Sequence, residues 1–200
     1  GNFVVFNDLQ VSGFPLSFTL TADQATLGRT ADQTFLWRAE AFRAAARPWA
    51  PRHLTISAPD NGVTFSARGN SRNVEITAAA LRMTVELDDT NWPVTVAVRF
   101  ERPILKILGV RNDIAAASLD MRGTGSRDGQ GSITLVATDV TSRDELLQRL
   151  GGTVDLIKAA MDVKGGWSAG PTDRQLHTWR LNGGTVEVRD TRIEFGSIKA

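Results

Sequence analysis

Two alternating runs facing each other across a short polar turn constrain this chain most. Between Ala79 and Glu101, Leu81, Met83, Val85 and Leu87 alternate with Arg82, Thr84 and Glu86. Val94, Val96, Val98 and Phe100 then alternate with Thr95, Ala97 and Arg99. Successive side chains of a strand point to opposite faces, so each run has one dry face and one wet face. Asp88-Asp89-Thr90-Asn91-Trp92-Pro93 between them is turn chemistry. The pattern predicts an antiparallel hairpin with Leu87 near Val94 and Leu81 near Phe100. A slip of one residue would carry large aliphatics into water, so the register is tightly specified.

The rest of the chain is read against that hairpin. Phe3 to Val11 predicts a strand whose alternation changes phase at Asn7-Asp8, the mark of a bulge. Ser12-Gly13-Phe14-Pro15 is a sharp corner, and Leu16, Phe18 and Leu20 open a second strand. Thr21 to Thr34 reads as polar loop with a short strand near Ala25 to Leu27. Phe35 to Ala46 fits either helix or strand, and its strand-like neighbours favour strand. Leu54 and Ile56, then Val63, Phe65 and Ala67, flank Pro59-Asp60-Asn61-Gly62 and predict another hairpin. Val74, Ile76 and Ala78 begin a strand that feeds the central hairpin. Pro103 to Gly109 predicts one or two helical turns, with proline first and glycine last. Ile114 to Met121, Ile133 to Ala137 and Val154 to Val163 predict strands, and Gly123 to Gly131 a loop. Ser142-Arg143-Asp144-Glu145 has capping-box spacing and predicts a short helix ended by Gly151-Gly152. Asp173 to Asn182 predicts a second one. Val186, Val188, Ile193 and Phe195 close the chain with a phase change at Asp190-Thr191.

The expected fold is therefore mainly β. It is one long, antiparallel, strongly curved sheet of roughly ten strands, with two or three short helices, over a single β-rich domain of 200 residues. Such a sheet must bury its dry face. It does so by closing into a sandwich-like barrel, or by curling into a half-barrel gutter that a hydrophobic ligand fills.

Composition removes several functions. A net charge of +1 argues against nucleic-acid binding, which draws its affinity from a basic excess. The absence of cysteine excludes disulfides, thiolate metal sites and cysteine nucleophiles. His53 and His177 lie far apart and in no metal-ligand spacing. Asp88-Asp89 fits a solvated turn better than a cation site. The Gly123, Gly125, Gly129 and Gly131 stretch lacks the Lys-Ser/Thr and following helix of a phosphate loop. Ser142 has no base near it in sequence. No catalytic residue, metal site or cofactor is expected, and the chain is read as a non-enzyme.

Some short motifs resemble a known family. Leu9 to Phe18 follows an apolar-x-V-S-G-F-P-L-x-F pattern. Trp37 is followed by Pro48-Trp49-x-Pro51. Leu176, Trp179, Gly183, Gly184, Thr185, Val186 and Val188 lead to Phe195-Gly196. Together these resemble the alphaproteobacterial envelope family catalogued as the two-one-two-five domain of unknown function. That family is loosely similar to AsmA-type envelope proteins, which are associated with lipid movement. The resemblance implies a periplasmic protein tethered to the inner membrane by an N-terminal anchor, with further C-terminal sequence. Both lie outside this chain, whose two ends read as cut. It implies a lipid or other hydrophobic ligand and carries over no catalytic residue.

Two fillings of the sheet stay open. The cost of an empty apolar cavity, about 24 cal/mol per Å³, favours self-filling, and the resemblance weighs about equally for the gutter. In the gutter reading the ligand lies on Leu16, Phe18, Leu81, Met83, Val85, Val96, Val98 and Phe100. Phe14 with Ile104, Leu105 and Leu108 then forms its mouth or lid. In the self-filled reading Phe14 plugs the core end, Ile104 to Leu108 caps an edge, and exposed strand edges recruit envelope protein partners.

Overall fold

The computed structural model describes residues 2–29, 35–58, 63–68, 73–123, 129–149, 151–165 and 179–196. Thirteen strands form one antiparallel sheet that does not close into a barrel. The strands are β1 (Asn2–Ser12), β2 (Phe18–Arg29), β3 (Phe35–Arg47), β4 (Ala50–Ala58), β5 (Val63–Arg68), β6 (Asn73–Ala78) and β7 (Ala80–Leu87). They continue with β8 (Pro93–Glu101), β9 (Ile104–Ile107), β10 (Val110–Arg122), β11 (Gln130–Ser142), β12 (Thr153–Lys164) and β13 (Thr185–Glu194). The helix α1 (Glu145–Arg149) and a helical turn at 179–181 complete the described elements.

The strand order is simpler than thirteen labels suggest. β4 and β5 both pair with the same edge of β3, through residues 43–47 and 35–39 respectively. β7 continues β6 in the same way, and β9 continues β8. Merging these pairs leaves ten long strands, each bonded only to its sequence neighbours, in an up-and-down meander. The predicted central hairpin is present, with Leu81 opposite Phe100, Met83 opposite Val98 and Val85 opposite Val96. A shift after Glu86 places Leu87 opposite Pro93 rather than Val94.

The interruptions within the long strands fall on one line across the sheet. Asp8, Gln24, Arg102 and Asp139 have positive φ (47°, 50°, 47° and 51°). Ala79 separates β6 from β7, and Arg102-Pro103 separates β8 from β9. Hydrogen bonds still join neighbouring strands along the line, from the Ala79 amide to the Glu101 carbonyl (3.0 Å) and from the Arg102 amide to the Ala115 carbonyl (3.0 Å). The line is a crease, where alternation slips by one residue. Apolar residues two apart on either side become three apart across it, as in Ala22/Ala25, Ala39/Phe42, Ala78/Leu81, Ile114/Ala117, Ala137/Val140 and Val154/Ile157.

The slip keeps one face apolar on both sides of the bend, and the core sits in the fold. Ala39, Ala58, Val63, Leu81 and Val98 form one buried cluster, flanked by Trp37, Met83, Val96, Phe100 and Leu119. Ala137, Val140 and Val154 form a second, with Leu147 of α1 packed on it. Trp37 and Phe42 lie five residues apart on β3, a separation of roughly 16 Å along a straight strand. Their ring centroids are nevertheless 5.7 Å apart in an edge-to-face contact, so the strand bends toward the apolar face.

Three expectations are corrected here. Pro103 to Gly109 is no helix: residues 104–107 form β9. Both edges of that short strand are hydrogen-bonded, to β6 and β10, and this extended pairing prevails over the helical end signals. β2 runs unbroken to Arg29, so the loop expected over Thr21 to Thr34 is strand at least that far. The cap of α1 is Asp144, which accepts from the Leu147 amide (3.3 Å), while Ser142 accepts from the Asp144 amide (3.1 Å). Phe35 to Ala46 is strand, as favoured. Most of the helix expected over Asp173 to Asn182 lies outside the described residues, which include only its end, with a helical turn at 179–181.

The crease yields a stability prediction. At Asp139 the left-handed backbone is tolerable for Asp, free for Gly and poor for a β-branched residue. Asp139→Val is expected to lose about 1–2 kcal/mol in urea unfolding, whereas Asp139→Gly matches or exceeds the wild type. Equal unfolding of the two variants would remove the backbone argument.

Candidate functional site: the apolar face and its rim

Register alone assembles the candidate surface. One row reads Phe18, Ala46, Leu54, Val85, Val96, Met121, Ile133, Met161 and Val188, each paired across to the next. The adjacent row reads Leu20, Ala44, Ile56, Met83, Val98, Leu119, Leu135 and Ala159. Eight strand spacings make the first row about 38 Å long along the sheet. Neither row contains a polar or charged side chain. Val85 and Val98 are buried, but Ile56, Met83, Val96, Leu119, Met121, Ile133 and Met161 are only half-buried, and Leu135 is exposed. α1 covers one corner through Leu147 and leaves both rows open.

The opposite face is polar. Several of its charges form cross-strand pairs, including Arg99–Asp120 (3.1 Å), Lys106–Glu75 (2.9 Å) and Arg189–Asp162 (2.9 Å). Two open clefts lie on this face rather than in the apolar trough. One, of about 400 Å³, sits at the crease between Arg38, Glu40 and Arg102. The other, of about 490 Å³, lies between Arg43, Arg47 and His53 near one end of the sheet.

Among the sequence-predicted site residues, Leu81, Met83, Val85, Val96, Val98 and Phe100 come together on the apolar face, and Phe18 joins them by row. Leu105 lies on the same face beyond the crease, in register with Ile76. Ile104 turns the other way and lines the crease cleft. Phe14 and Leu16 stand at the β1–β2 tip, 77% and 72% exposed, and Leu108 stands at the opposite end of the sheet, 64% exposed. Phe14 and Leu108 therefore do not form one mouth. Phe14 is not a core plug either, since it is largely exposed, with its ring tilted against that of Phe18 at 6.0 Å. Sequence reading missed the other half of the trough, Leu119, Met121, Ile133, Leu135 and Met161. Its signal is the three-residue step, which links each strand's two alternating halves.

The groups weighed as chemical candidates are occupied structurally. Asp88 Oδ1 accepts from the Thr90 amide (2.8 Å), the Thr90 hydroxyl (2.7 Å) and the Trp92 amide (2.9 Å). Asp89 pairs with Arg52, and His53 faces Glu86 at 3.5 Å. Ser142 is fully buried beside the helix cap. His177 lies outside the described residues. Among the described residues no group of three His, Cys, Asp or Glu side chains is placed to hold a metal. No described helix is long and apolar enough to cross a membrane.

The Thr90 hydroxyl, then the Trp92 amide, hold the Asp88 carboxyl below its ordinary pKa. A lowered folded-state pKa adds stability that is complete above the unfolded value, about pH 4, and is lost as pH falls through the folded value. The stability difference between wild type and Asp88→Asn is thus expected to be largest near neutrality and to vanish in acid, read from thermal melts across pH. A constant difference would mean that the turn does not depend on the carboxylate.

No curated protein and no solved structure matches the chain. The model of one family, described as "Uncharacterized protein conserved in bacteria (DUF2125)", matches residues 1–200. The chain belongs to that family.

Proposed function

We propose that this member of the DUF2125 family binds the apolar part of a lipid, or of another hydrophobic molecule, along the trough of its creased sheet. On this reading it holds or passes that molecule without chemical transformation. The supporting observation is the pair of apolar rows. They run across the sheet without a polar side chain, and Ile56, Met83, Val96, Leu119, Met121, Ile133 and Met161 in them are only half-buried. Such uncovered apolar surface favours the open gutter over the self-filled sandwich. Each methylene of an acyl chain buried there contributes about 0.8 kcal/mol. On this reading, which the resemblance to envelope proteins supports, the protein works in the periplasm, tethered to the inner membrane.

A second reading has its own observation. Among the described residues β1 and β13 each have one pairing partner, and Val11 and Val188 on them are 69% and 61% exposed. Open edges with apolar side chains suit strand addition by an envelope partner.

Native mass spectrometry of gently purified protein, followed by solvent extraction, separates the two. A bound adduct recovered in the lipid fraction is expected. Met83→Trp, which adds bulk in mid-trough, is expected to reduce that adduct several-fold while the thermal melt stays cooperative. A clean unliganded mass from a cooperatively melting wild type would transfer the weight to the edge reading.

A further inference from the structure

The tips of the β1–β2 and β3–β4 hairpins stand side by side at one end of the sheet, because Phe18 pairs with Ala46 and Arg47 with Ala50. Their outermost side chains are large and apolar. Phe14, Leu16 and Trp49 are exposed by 77%, 72% and 65%. The first tip is closed by a hydrogen bond from the Ser17 amide to the Gly13 carbonyl (2.8 Å). Gly13 has φ +91°, and a Cβ there would lie 2.5 Å from Ser17 Oγ. Phe14 is thus carried on a turn that only glycine closes without strain. Exposed aromatics at adjacent loop tips match side chains that settle at a membrane–water interface, where an amphipathic ring has one dry and one wet side.

Charge identifies the occupant. Residues 9–22 and 41–58, which build both hairpin ends, contain three arginines and a histidine and no aspartate or glutamate. Arg52 is neutralised by Asp89, and His53 faces Glu86. Arg43 and Arg47 are exposed and line the 490 Å³ cleft behind the tips, with the Thr19 and Thr55 hydroxyls beside them. No ion pair to Arg43 or Arg47 occurs among the described residues. Guanidinium groups next to hydroxyls fit phosphate oxygens, and arginine takes them through two parallel donors.

We propose that this end of the sheet docks on an anionic phospholipid bilayer. Phe14, Leu16 and Trp49 enter the interface, and Arg43 and Arg47 take lipid phosphates. The proposal does not rest on the trough reading, since the tips lie outside the two apolar rows and docking is read without any retained ligand.

The test is flotation of the full chain with vesicles of phosphatidylcholine alone or mixed equally with phosphatidylglycerol. Wild type is expected to float with the mixed vesicles and to prefer them about thirtyfold, the two arginines contributing roughly 1 kcal/mol each near the surface. The preference falls in high salt as the surface charge is screened. Arg43→Glu with Arg47→Glu abolishes the preference, and Arg43→Lys with Arg47→Lys restores most of it. Phe14→Ser with Trp49→Ser weakens binding to both vesicles. These side chains are exposed, so circular dichroism and melting should match the wild type. Absence of wild-type flotation, equal binding to the two vesicles, or glutamate variants that float like wild type would each overturn the proposal. So would a concentration-dependent dimer that Trp49→Ser turns into monomer, because the tips would then be a contact between copies.

Discussion

A one-residue slip in strand alternation, repeated along one line, is the constraint on which the rest depends. A straight ten-strand sheet with strict alternation would present one flat apolar face with little to cover it. The slip bends the sheet toward that face and still keeps it apolar on both sides. Trp37 then meets Phe42, and Ala39, Val63, Ala78 and Leu81 pack where the halves converge. Small residues dominate the bend because two sheet halves approach there, and alanine fits where leucine would hold them apart. Farther from the line the halves diverge, and burial falls from complete to partial.

Buried core and open apolar surface therefore occupy different parts of the same face. The crease supplies the buried core, and the outer rows supply surface. Along the middle of the sheet the outer face carries cross-strand ion pairs such as Arg99–Asp120 and Arg189–Asp162, and that stretch is well solvated. The trough is chemically monotonous, a quality that suits molecules recognised by bulk and dryness rather than by directional contacts.

The sequence made the meander legible where alternation is strong and uninterrupted. Leu81 opposite Phe100 followed from four large side chains on each arm, which leave no second register. The bulge at Asp8 was legible for the same reason, as a phase change within an apolar run. The crease as a whole was not. In β2 it falls between Ala22 and Ala25, amid threonines and a glutamine, where two small residues give too little contrast to mark a face. In β8 and β9 it falls at Arg102-Pro103, and a proline before four residues with three aliphatics imitates a helix start. A short apolar run carries no period of its own, so only pairing with Ile76 and Asn112 decided it. Ser142 was placed in the cap by its spacing. Asp144, two residues later, has the same chemistry and the better position. Phe14 could not be placed from sequence because an aromatic beside Gly and Pro serves equally as plug or protrusion.

The meander has a consequence of its own. Among the described residues every long strand bonds only to its neighbours in sequence, and no pairing ties the first to the last. A hairpin added or removed at either margin would leave the remaining pairings as they are. It would lengthen or shorten the trough by two strand spacings, about 9.6 Å. The architecture thus works as a ruler: the count of strands, rather than any single side chain, sets the length of the apolar trough.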